Sequence, residues 1–216
     1  MEKYIALLIA DLTGYSAVTE MHGAQKAVEI IQQYEDLVFR SLTGESFLLE
    51  RVGDQVIVIS PEADDIARTA LKIQRNARVI AGFLPVHIGL HYGHVLELGG
   101  HLYGSTINLA ARIAAKAVGG TILSSNKFIQ ALANPELFKY EYRGAIKFKN
   151  ILEKIEILEL GHNNKSILID PVCQMQIEKQ SSNLWVHDQS QKVFFCSDDC
   201  LEVFKSKREE FLALAI

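Results

Sequence analysis

Cysteine, proline and tryptophan are scarce: the 216 residues hold three, four and one of them. All three cysteines fall after residue 170, so no paired disulfide framework can staple the chain, and thiols there read as free groups or metal ligands. No excess of one charge exists either, with 22 Lys and Arg against 26 Asp and Glu and a net charge of −4. The basic residues are spread thinly, which excludes a nucleic-acid stripe or a polybasic membrane patch as partner sites. The apolar run KYIALLIA at 3–10 ends at Asp11. It is too short to span a bilayer and has no small-residue cleavage site behind it, which predicts a cytoplasmic location. What is abundant is core: 49% of residues are hydrophobic, enough for one medium domain plus a small appendage.

The run at 3–10 reads as a buried strand stopped by Asp11 and Thr13-Gly14. From Gly23 to Leu42 apolar residues recur at Ala27, Val28, Ile31, Tyr34, Val38 and Leu42, a helical spacing. Two β-prone runs, 47–52 and 55–59, are separated only by Gly53-Asp54, a tight hairpin signal. A second helix is expected over 63–82, strands at 85–92 and 94–98 broken at Gly93, and a third helix over 104–117. A strand at 121–124, a helix at 125–133 and strands near 139–149 and 152–160 follow. Strand, helix, hairpin, helix, strand predicts an α+β fold, a ferredoxin-like antiparallel sheet with helices packed on it. Residues 1–160 make this domain and the polar stretch 161–166 a linker. Residues 167–216 form a small cysteine-containing α+β module.

Two aspartates, one ending a strand and one in a hairpin, can emerge at the same sheet edge. There they offer the hard oxygen ligands that Mg²⁺ or Mn²⁺ prefers, although either alone also fits ordinary turn chemistry. Asn108 and Arg112, four apart in NLAAR, share one helical face that suits a ribose oxygen and a crowded phosphate, or simply solvent. The alternating lysines of RGAIKFK at 143–149 fit an exposed strand face.

These segments fall into one known order. LIADLTGYSA at 8–17 resembles the opening motif of class III nucleotidyl cyclases, and RVGDQVIVI at 51–59 their metal-binding hairpin. YGSTINLAARI at 103–113, with GGTILSS at 119–125, is similar to their transition-state helix and next strand, and 143–160 to their closing hairpin. The resemblance implies that Asp11 and Asp54 hold two Mg²⁺ or Mn²⁺ ions. It further implies that the backbone of Leu12, Thr13, Gly14, Tyr15 and Ser16 contacts a triphosphate, with Lys149 on the terminal phosphates. Asn108 would orient the ribose and Arg112 stabilise the transition state. The substrate would be a purine nucleoside triphosphate, cyclised in a head-to-tail homodimer.

Base selection in the resembling family rests on two positions, here Glu50 and His101. A carboxylate at Glu50 can accept from guanine N1–H and its amine, whereas His101 donates or accepts by tautomer. The pair matches neither standard set, so ATP and GTP both stay open, as does a nucleotide-binding pseudo-cyclase. Asn150 stands after Lys149 where the family usually has Gly.

In the C-terminal segment, Cys173, Cys196 and Cys200 can converge on a soft or borderline cation such as Zn²⁺ or Cu⁺, or serve as small buried thiols. DPVC at 170–173 and FFCSDDC at 194–200 resemble the YHS domain, a module of the TRASH-like metal-binding group. That likeness implies metal binding through the three cysteines. A fourth ligand would be water, a partner residue, or a side chain such as His187 or Asp199.

Overall fold

The computed structural model of the protein describes residues 1–161, 168–177, 184–188, 191–208 and 211. The expected linker therefore lies outside the described residues from 162 on. The chain packs as two compact units, one from Met1–Leu12, Asp36–Asn76 and Val86–Asn163, the other from Thr13–Glu35, Ala77–Pro85 and Asn164–Ile216.

In chain order the elements are β1 (Glu2–Leu12), α1 (Tyr15–Ser41), β2 (Phe47–Val52), β3 (Gln55–Ser60), α2 (Ala63–Arg78), β4 (Val86–Leu98), β5 (His101–Tyr103), α3 (Ser105–Ala114), β6 (Ile122–Ser125), α4 (Asn126–Gln130), β7 (Tyr140–Lys147) and β8 (Lys154–Leu160). The eight strands form one sheet in the order β2-β3-β1-β4-β6-β8-β7, with β5 paired to β4. β4 and β6 run parallel, so the sheet is mixed and not wholly antiparallel. Central β1 is buried from Ile5 to Ala10, which explains why it reads as an unbroken apolar run rather than an alternating one. Ile5, Leu7 and Ile9 pack in one cluster with Ile57, Ile59 and Val95 and with Ala110 and Ala114 of α3. On α2, the Gln74 amide donates to the Val86 and Thr121 carbonyls at 2.6 and 3.1 Å. Among the described residues no helix is long and apolar enough to cross a membrane.

Two expected boundaries move for physical reasons. β4 is continuous where a break was expected at Gly93, which pairs with Ile5. A Cβ there would lie 2.5 Å from Thr106 Oγ1, so this glycine makes room for α3 and does not stop the strand. α1 begins at Tyr15, ahead of Gly23, whose φ of 80° interrupts the helix.

α3 lies tightly against the sheet at Gly89 of β4. A Cβ would lie 2.3 Å from the Ala114 nitrogen and 2.6 Å from the Ala110 oxygen. Both are backbone atoms, so no side chain can swing aside. Gly89→Ala should push α3 off the sheet and cost about 1–3 kcal/mol, the usual range for overpacking. Denaturant unfolding checks this, and a midpoint equal to wild type would refute it.

In the second unit, β9 (Leu168–Ile169) pairs with β10 (Gln176–Ile177), β11 (Trp185–Asp188) pairs with β12 (Gln191–Phe194), and α5 (Asp198–Ser206) follows. Phe195 and Phe204 meet at 5.1 Å between centroids, and Tyr34 and Phe83 at 6.3 Å. The C-terminal strands are tied in by backbone bonds. Gln176 N–H donates to the Phe83 carbonyl at 2.8 Å, and Gly82 N–H to the Gln176 carbonyl at 3.2 Å.

Candidate functional site

The structure brings Asp11 and Asp54 together. β1 carries Asp11 to its C-terminal end, and the β2–β3 hairpin turns at Gly53, with φ of 63°, to present Asp54. Their carboxyl groups lie close enough for each to shift the other's ionisation. Burial and the neighbouring Asp11 charge push Asp54 up to about 6. Burial likewise raises Asp11, against the hydrogen bonds from Asp54 and the Leu12 N–H. Two carboxyls at one strand end that resist ionising together form a site that a divalent cation relieves. Hard oxygen donors and mutual repulsion fit a Mg²⁺- or Mn²⁺-type ion at this position.

One neighbour is not signalled by any motif. His87 lies opposite Asp11 in the β1–β4 register, its Nε2 3.8 Å from Asp11 Oδ2. Burial holds its pKa below the ordinary imidazole value, with the Asp54 charge opposing. Only the pairing of β1 with β4 could have found it.

The second group stands on α3. Asn108 is exposed, and Arg112 half-buried. One guanidinium nitrogen of Arg112, Nη1, is buried without a hydrogen-bond partner. An orphaned cationic donor is costly unless an anion completes it. Lys149 joins this group through its neighbour: Phe148 packs with Leu109 and Ile113 of α3, setting the exposed Lys149 turn beside that helix. Asn150 adopts φ of 59°, a left-handed conformation that asparagine tolerates nearly as glycine does. The departure from glycine thus keeps the turn. In the sheet order, Asp11 and Asp54 sit on the β2-β3-β1 side and Lys149 in the connection between β7 and β8 at the other edge.

Glu50 and His101 occupy separate strands, β2 and β5, and both are exposed. A bulge between Leu48 and Glu50 lets Leu49 pack inward while Glu50 faces out. The Leu12–Ser16 stretch is where the chain passes from the first unit to the second.

Cys173, Cys196 and Cys200 also converge, and the side chain that joins them is His22, not His187 or Asp199. His187 instead stacks edge-on against Trp185 at 5.0 Å. Cys200 carries the lowered thiol pKa of the group, held there by hydrogen bonds from Cys173 and Cys196. Hydrogen bonds with Cys196 and Cys200, together with burial, push Cys173 up.

Residues 2–159 match the family described as adenylate and guanylate cyclase catalytic domain. An uncharacterized protein of Mycobacterium tuberculosis is 30% identical over 117 residues, 54% of this chain and 31% of that protein. An adenylate cyclase of Streptomyces griseus is 26% identical over 155 residues, covering 69% and 38% respectively. The chain thus spans about a third of the length of the curated relatives it matches. Among solved structures, an adenylate cyclase of Trypanosoma brucei in its monomeric state superposes with a TM-score of 0.68 at 16% identity, over 74% of this chain and 92% of that one.

Proposed function

Residues 2–159 belong to the adenylate and guanylate cyclase catalytic domain family, and from that premise we propose that the chain converts a purine nucleoside triphosphate, ATP or GTP, to its 3′,5′-cyclic monophosphate and pyrophosphate in a head-to-tail homodimer. The observation that carries this reading is the electrostatically interacting Asp11–Asp54 carboxyl pair at the end of β1. The orphaned Arg112 nitrogen on α3 supports a site assembled from two chains, since each half offers a charge that the other half's ligand completes.

The 3′-hydroxyl oxygen bonds to the α-phosphorus, the bond from that phosphorus to the bridging oxygen breaks, pyrophosphate leaves, and the hydroxyl proton passes to solvent. Two Mg²⁺ or Mn²⁺ ions held by Asp11 and Asp54 would supply charge neutralisation and an acidified hydroxyl. The chain's own residues do the positioning. The Leu12–Ser16 backbone contacts the triphosphate. Leu12 and Thr13 N–H are held by Asp11 and the Pro85 carbonyl, so the N–H groups of Gly14, Tyr15 and Ser16, leading into α1, are the ones that bind its oxygens as helix N-termini do. Lys149 meets the terminal phosphates, Asn108 orients the ribose, and Arg112 binds the pentacovalent phosphate where charge accumulates. We read residues 167–216 as a YHS-type module that tunes this activity through metal or redox state.

Purified protein with Mn²⁺ and either ATP or GTP should form cyclic nucleotide, and no product with either at dimer-forming concentration overturns the reading. Nucleotide binding by calorimetry without product would instead identify a pseudo-cyclase, the reading that the unusual Glu50/His101 pair favours. Glu50→Lys removes the acceptor for guanine N1–H and its amine and adds a donor for adenine. The ratio of GTP to ATP turnover should fall at least about tenfold, the worth of about 1.4 kcal/mol. An unchanged ratio would show that Glu50 does not touch the base.

A further inference from the structure

The convergence of His22 with three cysteines comes from separated stretches of the second unit: the first part of α1, the β9–β10 turn, and the start of α5. Cys173 Sγ lies 3.4 Å from Cys196 Sγ, and Cys196 Sγ lies 3.8 Å from Cys200 Sγ. His22 Nε2 is 3.7 Å from Cys196 Sγ and 3.8 Å from Cys200 Sγ. All four atoms fall within 4.8 Å of one another. A tetrahedral Zn²⁺ with bonds of about 2.3 Å to sulfur and about 2.0–2.1 Å to nitrogen separates its ligand atoms by about 3.6–3.8 Å. Three of the four spacings, 3.7, 3.8 and 3.8 Å, match those edges, and the fourth, 3.4 Å between Cys173 and Cys196, is a little shorter. A disulfide needs sulfurs at about 2.0 Å, and the three cysteines are free.

The surroundings are built to hold this arrangement. Asp170, fully buried, accepts from the backbone N–H of Val172 and Cys173 through Oδ1 at 2.8 and 3.3 Å, and from Cys196 N–H through Oδ2 at 2.7 Å. One carboxylate thereby clamps two of the three cysteine backbones. Ser197 caps α5 by accepting from Cys200 N–H at 3.3 Å, fixing the third. His22 is the last residue before the break in α1 at Gly23. Cys173 and Cys200 are buried, whereas Cys196 and His22 are half-exposed, leaving a side by which an ion can enter.

A contact links this cluster to the stretch after Asp11. A Cβ at Gly14 would lie 2.4 Å from Gln174 Cβ and 3.0 Å from the Cys173 carbonyl oxygen. Nothing but hydrogen fits between Gly14 and the backbone that carries the first thiol. We propose that His22, Cys173, Cys196 and Cys200 form a Cys₃His centre for a divalent cation of the Zn²⁺ class, and that its occupancy sets the backbone at Gly14. The use of that coupling to tune triphosphate binding rests on the cyclase reading above; the centre itself does not.

Co²⁺ titrated into the reduced full chain is the probe. One equivalent should bind, with thiolate-to-cobalt charge transfer and the strong visible bands of a tetrahedral ion, and Zn²⁺ should displace it. His22→Ala should weaken binding at least about tenfold and alter the visible bands, since a direct ligand matters no less than an outer-shell partner. His22→Cys should restore tight binding, which separates lost ligation from a misfolded variant. Absence of stoichiometric metal in the wild-type chain, or an identical affinity and spectrum in His22→Ala, overturns the centre. So does recovery of one titratable thiol in place of three, the mark of a disulfide. For the coupling, the Gly14 amide resonance should shift on Zn²⁺ addition in wild type and not in His22→Ala; a resonance that ignores bound Zn²⁺ overturns that half of the proposal. Neither readout requires turnover, so a chain without cyclase activity still tests both.

Discussion

Asp54→Asn should lower Mn²⁺-dependent cyclisation by at least about 10³-fold while melting no lower than wild type. A 10³-fold loss corresponds to about 4 kcal/mol of transition-state stabilisation, the scale expected when a phosphoryl-transfer site loses the anion that holds its cation. Stability should hold because the substitution removes one of two mutually repelling carboxyls whose burial already opposes their ionisation, a common pattern where function and stability conflict. Arg112→Ala should be equally inactive for a different reason, loss of the guanidinium on α3. The mixture is more informative than either variant. If Asp11 and Asp54 of one chain face Arg112 of another, combining the two inactive proteins at equal concentration should restore activity. Random pairing makes half the dimers mixed, and each mixed dimer has one intact site of two, so recovery should approach about a quarter of wild type. Recovery indistinguishable from zero, with subunit exchange confirmed, would place both groups in the same chain's site and refute the shared arrangement.

The parts of the fold legible in the sequence are those decided by neighbours in the chain. The β2–β3 hairpin follows from two β-prone runs around Gly53-Asp54, and the register that results places Asp54 at the turn. The burial of β1 follows from its unbroken apolar run. Positions settled by another element are not legible in the same way. Gly93 looks like a break until Thr106 is seen to need its space. The helical turns from Tyr15 to His22 carry too few periodic apolar residues to announce themselves, and Gly23 looks like a beginning when it is an interruption. His22 could not be paired with the cysteines by spacing, because more than 150 residues of chain separate them, as the interval of 174 to Cys196 shows. His87 is invisible for the same reason, being brought to Asp11 only by strand pairing. The family resemblance supplied roles for Asn108, Arg112 and Lys149 that periodicity alone leaves as polar surface. The structure adds to them the buried orphan nitrogen of Arg112.

His91 should make the protein acid-labile in a way that one substitution removes. Its ring is buried in β4, 5% exposed, with Nδ1 hydrogen-bonded at 2.6 Å to the hydroxyl of Ser125, itself buried and capping α4 through Phe128 N–H. Burial, with the Lys127 charge adding to it, holds His91 down to about 4 against an ordinary value of 6.5. The folded value lies below the unfolded one, so the unfolded chain takes up the proton first. The neutral ring therefore contributes its full stability above pH 6.5, and that contribution is withdrawn as pH falls from 6.5 toward 4. At about 1.4 kcal/mol per unit the interval is worth about 3 kcal/mol. His91→Asn keeps a polar atom near Nδ1 but cannot titrate. It should be less stable than wild type at pH 7.5, because the smaller side chain leaves a void. Its stability should then fall less steeply with acid, so that the two curves converge or cross between pH 6.5 and 4. Urea unfolding across that range measures both slopes, and carboxylates common to both proteins cancel in the difference. Parallel curves, or a His91 ring that titrates near 6.5 by NMR in the folded chain, would show that Ser125 and the surrounding core do not oppose its charge.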